Sequence, residues 1–597
     1  MKFSRYEWAV ILIALSVFLL GCYSPPGLMD DVDGVQAQIA RTMLESGDWV
    51  TAKLNKIAYM EKPPMKYWLI AGFFGIFGVH DWAARLPIAL GAAALAWVVF
   101  RFGKWTISER AGFHAGLAVS TCIGLFLFTR VLIGDVLVTL SITTALWAFL
   151  RIIDDDEPNP NRWSIVGAIS ISMGILLKGL ISIVFPLGIA GLYLVLTRQI
   201  FEWRVWKRVN LPLFIFVILA ISSPWHIIAT LRNPPYFDFS MVSEPGKYRG
   251  FFWLYFFNEH ILRFLGRRHP KDYNTVPLLS FWLLNLVWLF PWSAFLPYLK
   301  RLKFTINPQN RLERVSILAV CWVFVVMGFF SLSTTQEYYS MPIYPALALL
   351  IGIALDKKEE LPRFGLWVIT TACLAAIPAI LSILYLVRNI QTSGDISKAL
   401  AKSDDVYAVY TLALGHFGDL TLNSFAYLRF PLVMALVSTL LGLAGMYFSK
   451  KIREVSCVLI AVMMLIFFQA AHQALIVFEP YLGSRPLAEA LQKVPEGKLI
   501  FDNQYYTFSS VFFYFNPKEA LLLNGRINNL EYGSYAPNAP DVFIDDTEFK
   551  EIWEKSDRCY LLVEKPSFKR LEDLIGADKF YIVREVGGKL LLTNLKQ

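Results

Sequence analysis

Long apolar runs recur along roughly the first four fifths of the chain, each separated from the next by a short stretch of charged, proline or glycine residues. A helix needs roughly 20 such residues to cross the hydrocarbon core of a bilayer, where only helices and closed barrels satisfy their own backbone polar groups. That spacing predicts about thirteen transmembrane helices, near residues 8–24, 82–103, 111–129, 131–153, 164–178, 179–197, 209–231, 276–299, 315–333, 338–356, 364–387, 427–449 and 454–476.

After about Pro480 the runs give way to short mixed segments. "RPLAEALQKV" has helical spacing, "KLIFDN" is strand-like, "DTEFKEIWEKS" is amphipathic, and "KFYIVREVGGKLLLTN" reads as a hairpin about Gly587 and Gly588. The expected organisation is a mainly α, polytopic membrane domain over residues 1–479 and a small soluble α/β domain over 480–597, without a glycine-rich phosphate loop.

Composition fits: 56% of the 597 residues are hydrophobic and only 17% charged. The basic residues cluster in short loops, at Arg101, Lys104 and Arg110; Arg198, Arg204, Lys207 and Arg208; Lys300, Arg301, Lys303, Arg311 and Arg314; Lys357, Lys358 and Arg363; and Lys450, Lys451 and Arg453. Each cluster follows an even-numbered predicted helix, which makes those loops cytoplasmic and puts residues 24–81, residues 232–275 and the tail on the outer face. The formal net charge of +9 is therefore a topology signal and no argument for nucleic-acid binding. The six cysteines have no metal or redox spacing.

Charges near membrane depth are costly and mark cavities or partners, and here they gather on the outer side. Loop one opens with Asp30, Asp31 and Asp33, followed by an apolar stripe of Val35, Ile39, Met43 and Leu44 that predicts an amphipathic helix in the interface. Three acids in four residues exceed what a helix cap requires. On helical geometry Asp30 and Asp33 share a face while Asp31 points about 100° away, so the three are not expected to be interchangeable. In "YMEKPPMKYW" the two prolines hold Glu61 and Lys62 on an extended backbone, with Tyr59, Tyr67 and Trp68 expected at headgroup depth. "TRVLIGDVL" adds Arg130 and Asp135, "ILLKGLI" adds Lys178, and "FFNEHILRF" brings Glu259, His260 and Arg263 onto one helical turn. Acids, bases and a histidine converging at one interface suit recognition of a lipid phosphate.

These segments, with "SPW" and "FFSLSTTQEYYSMPIYPALAL", resemble in order the bacterial aminoarabinose transferase and protein O-mannosyltransferase superfamily of GT-C glycosyltransferases, from Asp30 to about Leu350. The resemblance implies a bacterial inner-membrane enzyme that moves a sugar from a polyprenyl-phosphate carrier to a lipid, glycan or protein acceptor on the periplasmic side. It implies a general base from the acidic motif, which an ungapped match puts at Val32 and Asp33, so that Asp31 or Asp30 serves only with a shift of a residue or two. Lys62 matches the family's phosphate-binding lysine and Glu61 its neighbouring acid, while His260 and Arg263 match the outer helix. Gln336 and Glu337 stand where the family has a basic residue, leaving Tyr338 or Tyr339 as the tyrosine contact.

The chemistry needs a base for an acceptor hydroxyl and cations for the growing charge on the departing phosphate. Asp31 and Asp33 are the candidates for the first task; Lys62, Lys178, Arg263 and Tyr339 for the second; Tyr59, Glu61, Asp135, Glu259, His260 and Asp30 would line the cavity. No nucleotide is required, and a divalent metal between Glu61 and His260 has only two ligands. A flippase or transporter is the alternative, but it predicts midplane acids and two similar halves that the sequence lacks.

Overall fold

The computed structural model describes residues 3–271, 275–356, 361–401, 418–448, 453–555 and 557–596, so Lys357, Lys358, Lys450 and Lys451 of the basic loops lie outside the described residues. Each predicted apolar run carries helix. Among the described residues eight helices are long and apolar enough to cross a membrane by length and composition, including Asp81–Thr106, Asp135–Ile153 and Arg453–Leu482. The bent pair Leu278–Trp288 and Trp292–Arg301 would make a ninth.

The expected thirteen is higher because several runs are short or broken. The run at 111–129 is two helices, Glu109–Ser120 and Ile123–Phe128, and at the break the Ile123 N–H leaves helical pairing to donate to Phe290 O at 3.2 Å. At the other bend the helices meet at 98° around Phe290–Pro291, where the proline cannot donate a helical hydrogen bond. Pro160–Lys178 and Ile181–Leu196 are separated by Gly179 in the left-handed region, φ +84°. Loop one contains a second helix, Met65–Phe77, too short to count as a span.

The amphipathic helix runs over Asp33–Ser46, but it is not free in an interface. Val35, Ile39 and Met43 are buried, and so are Gln36 and Gln38 on what was expected to be the polar side. The C-terminal domain covers that side. A Cβ at Gly34 would sit 2.6 Å from the Ser509–Ser510 backbone, and Arg41 donates to Phe513 O at 2.8 Å.

That domain follows the last long helix with a six-stranded mixed sheet. In spatial order its strands are Phe543–Ile544, Leu521–Leu523, Lys498–Asp502, Cys559–Glu564, Lys589–Thr593 and Tyr581–Val586. The first four are parallel and the last two form an antiparallel hairpin through Gly587 and Gly588, both at positive φ. Apolar side chains from this domain and from the membrane helices share one continuous buried core. All six cysteines are buried, and none is in a disulfide among the described residues.

Candidate active site

Side chains from five parts of the chain meet in one charged layer. Pro64 caps the helix that starts at Met65, so Glu61 and Lys62 stand on non-helical backbone, with Lys62 Nζ 2.5 Å from Glu61 Oε1. Tyr59 is buried and donates to Glu61 Oε2 at 3.0 Å. Arg268 Nη1 lies 4.0 Å from Glu61 Oε1 and 2.5 Å from Glu259 Oε2. Arg263 Nη1 reaches the same Glu259 oxygen at 3.3 Å, and its Nη2 donates to the Tyr339 hydroxyl at 3.2 Å. Lys178 Nζ pairs with Asp135 and sits 4.8 Å from the Tyr339 ring centroid and 5.3 Å from that of Tyr338. Lys178 ends one helix and Asp135 begins another, so each charge complements its helix dipole.

Electrostatics in this layer are uneven. Burial pushes Glu61 up, but Lys62, Arg268 and Arg263 outweigh it and hold the carboxyl below its ordinary range. Burial raises Glu259, against the pull of Arg268. Lys66, the second residue of the Met65–Phe77 helix, is buried with no ion-pair partner among the described residues. Burial, followed by the field of Lys62, brings its ammonium down to about 7. The sequence reading passed over both Lys66 and Arg268. Lys66 stood inside "YMEKPPMKYW" without a charged neighbour in sequence to mark it apart from Lys62, and Arg268, in the loop after the Trp253–Leu262 helix, belongs to the site only through its tertiary contacts.

The three loop-one acids have separate fates. Asp30 belongs to a joint with the C-terminal domain rather than to the cavity: it accepts from Ser510 N at 2.8 Å, Ser484 Oγ at 2.5 Å and Lys589 Nζ at 2.6 Å. Asp33 is fully buried and accepts from Leu132 N at 2.8 Å; its second carboxylate oxygen has no hydrogen-bond partner. Asp31 is half-buried, sits at φ +68°, and its carboxylate has no hydrogen-bond partner among the described residues. Burial, then the charges of Asp30 and Asp33, raise the Asp31 carboxyl to about 7. The helical projection that contrasted Asp30 with Asp31 does not apply, because the helix begins only at Asp33. A left-handed non-glycine residue is unfavourable, and such outliers cluster at functional sites.

Three further expectations are corrected. His260 lies on a wide helix, Trp253–Leu262, with i to i+5 pairing; Nδ1 is 2.5 Å from Tyr255 O and Nε2 accepts from Leu180 N at 3.1 Å. Both ring nitrogens are thus committed to backbone, Glu61 is engaged by a hydroxyl and cations, and a metal between the two does not fit. The described residues contain no cluster of three or more histidine, cysteine or acidic side chains suited to a metal. Tyr59 and Tyr67 are buried against protein, so neither ring is presented to lipid, and Arg130 turns away from Asp135 to donate to Phe18 O at 3.3 Å.

Mostly helical architecture, membrane-length helices and an appended mixed sheet describe a multi-pass membrane protein. The chain has an ArnT-like GT-C fold: it superposes on the crystal structure of ArnT from Cupriavidus metallidurans bound to undecaprenyl phosphate with a TM-score of 0.76, over 99% of each chain at 21% identity. The apo state of the same protein gives a TM-score of 0.75. A family model described as dolichyl-phosphate-mannose-protein mannosyltransferase matches residues 61–228. The chain is 26% identical over 373 residues to an undecaprenyl phosphate-alpha-4-amino-4-deoxy-L-arabinose arabinosyl transferase of Aeromonas salmonicida, covering 60% of this chain and 63% of that protein. It is 29% identical over 378 residues to a Pseudomonas fluorescens transferase of the same description, covering 60% and 61%. The chain thus spans less than two thirds of the length of these curated relatives.

Proposed function

We propose that the protein is a membrane glycosyltransferase that moves a sugar from an undecaprenyl-phosphate-type carrier to an acceptor hydroxyl. It would work in the bacterial inner membrane with loop one and the C-terminal domain on the periplasmic side. One observation carries the reading: the unbroken contacts from Lys62 through Glu61, Arg268 and Glu259 to Arg263, Tyr339 and Lys178. Four cations, Lys62, Lys178, Arg263 and Arg268, around three carboxylates, Glu61, Asp135 and Glu259, on elements distant in sequence, suit a phosphate better than a structural ion pair. The relatives' activity and the undecaprenyl phosphate held by ArnT support the same donor chemistry.

In this mechanism Asp31 takes the proton from the acceptor hydroxyl. The acceptor oxygen bonds to the sugar's anomeric carbon as the bond from that carbon to the phosphate oxygen breaks. The electron pair leaves on the phosphate, which gains one negative charge. Lys62, Lys178, Arg263 and the Tyr339 hydroxyl meet that charge, and Lys66 adds a cation whose protonation a nearby phosphate would favour. Asp33 fixes the loop by its bond to the Leu132 amide.

Reconstitution with a panel of polyprenyl-phosphate sugars, beginning with the aminoarabinose-linked carrier, tests the proposal. Release of free carrier phosphate with a glycosylated acceptor is the expected result. Carrier-linked sugar that crosses the bilayer without transfer would replace this reading with a flippase.

A further inference from the structure

The four cations and three carboxylates of the charged layer leave it one positive charge, which matches the single negative charge of a sugar phosphodiester. Lys66 comes in addition to that balance. It is 9% exposed, and among the described residues its ammonium makes no ion pair and no hydrogen bond. A buried ammonium without a partner is costly, and such a charge is kept where a ligand pairs with it. The next residue repeats the pattern: the Tyr67 hydroxyl is fully buried and has no hydrogen-bond partner among the described residues. The Tyr67 ring also steadies the lysine, whose Nζ lies 5.2 Å from the ring centroid.

The position of Lys66 says which part of the donor it meets. Its helix, Met65–Phe77, packs against both Asp33–Ser46, which begins with an acid of loop one, and Pro160–Lys178, which ends in the charged layer. Lys66 Cδ lies 3.7 Å from where a Cβ on Gly134 would stand, one residue before Asp135. Lys62, Asp135, Glu61 and Lys178 act on its ammonium from the charged layer, and Lys66 in turn acts on Asp33. The lysine thus belongs both to the phosphate cations and to the acids of loop one. That is the interval a sugar must span to be bonded to the phosphate and attacked from the side of the base.

We propose that Lys66 and Tyr67 read the sugar of the donor and that this sugar is acidic, a uronic acid whose carboxylate accepts from the Lys66 ammonium and the Tyr67 hydroxyl. Two adjacent buried donors that both lack an acceptor suit a carboxylate, and the ammonium carries the charge that a carboxylate needs. An amino sugar would set a second ammonium against the first. The inference rests on the transferase reading above and names the class of its donor sugar.

The test is binding of synthetic undecaprenyl-phosphate-linked sugars to the purified full-length protein in nanodiscs at pH 6, where the lysine is charged. The carriers bear a hexose, the matching hexuronic acid or an amino pentose, with bare undecaprenyl phosphate as control. The hexuronic acid carrier should bind at least about tenfold tighter than the hexose carrier, the worth of a charge-assisted hydrogen bond, and the amino pentose carrier should bind most weakly. Lys66→Met should abolish the preference for the acid, and Tyr67→Phe should reduce it. Because the lysine leaves no charged partner behind, Lys66→Met should hold or raise the Tm of the unliganded protein. A hexuronic acid carrier bound no tighter than the hexose carrier by wild type overturns the inference. So does an amino pentose carrier bound as tightly as the acid, a preference that survives Lys66→Met, or a marked fall in Tm in that variant. Bare carrier and all three sugars bound alike defeat this inference alone, whereas binding of none of them defeats the transferase reading and this inference with it.

Discussion

A carboxylate that is to take a proton from a hydroxyl must be reachable, uncommitted and near neutral in pKa, and of the three loop-one acids only Asp31 meets all three conditions. Asp31→Asn is therefore expected to lower turnover by about two to four orders of magnitude with carrier affinity intact, measured by single-turnover transfer and carrier titration. The base works ionised, so the rate limb assigned to it should rise with pH through about 7 and vanish in the variant. Stability runs the other way. A carboxyl raised from 3.8 to about 7 on folding contributes stability that is present below about 4 and lost as pH rises through about 7, so Asp31→Asn should flatten the fall in Tm over that interval. Lys62→Ala should weaken carrier phosphate by about 1.5 to 3 kcal/mol, the worth of a charge-assisted hydrogen bond, and Lys66→Met by less at pH 8 than at pH 6, because its ammonium is only partly charged above about 7. Part of the geometry was legible in the sequence: "EKPP" announces Glu61 and Lys62 on non-helical backbone, and three clustered acids announce more than a helix cap. What decided among the acids was not. Asp30 is taken by Lys589, and Asp31 is freed by a left-handed backbone that no local pattern encodes.

Elements were legible where hydrophobicity alone builds them and illegible where contacts cut them. A window of about 19 apolar residues finds each helical run but averages over breaks made by one tertiary hydrogen bond, such as Ile123 N to Phe290 O or Leu180 N to His260 Nε2. Met65–Phe77 is too short to fill such a window, so its apolar run gives a helix without a span. The break at Gly179 has consequences for the site. It ends the helix at Lys178, turns the chain at φ +84°, and leaves room that His260 and the Tyr255 hydroxyl fill. Gly179→Ala should therefore cost about 1 to 2 kcal/mol from the left-handed backbone alone, more with the overlap, and should reduce transfer further by displacing Lys178. Thermal unfolding and activity compared with Gly191→Ala, where a Cβ meets nothing within 4 Å, separate the local effect from a general one.

At the scale of the whole molecule the C-terminal domain is part of the machinery that holds loop one. Lys589, on the penultimate strand of the sheet, places its ammonium 2.6 Å from Asp30 with both side chains under 10% exposed, and it also donates to Ser484 Oγ and Thr507 O at 3.0 Å each. The adjoining backbone is tied the same way, Asp30 N to Leu482 O and Asp31 N to Tyr506 O, both at 2.9 Å. The candidate base thus hangs from the domain on the residues before and at its own position, which gives the sheet a role that composition could not disclose. Removing one partner of a buried pair leaves the other charge uncompensated, at a cost of about 3 to 5 kcal/mol, whereas removing both leaves mainly lost packing. Lys589→Met should accordingly lower Tm sharply and cut turnover while leaving carrier binding at Lys62 largely intact, because the lysine layer is held by other contacts. Adding Asp30→Asn should restore part of the stability, a coupling readable from a double-mutant cycle by thermal unfolding in detergent. Additive losses from the two single changes would mean that the pair does not join the domain to loop one. Transfer that survives deletion of residues 483–597 would show that Asp31 keeps its position without the sheet.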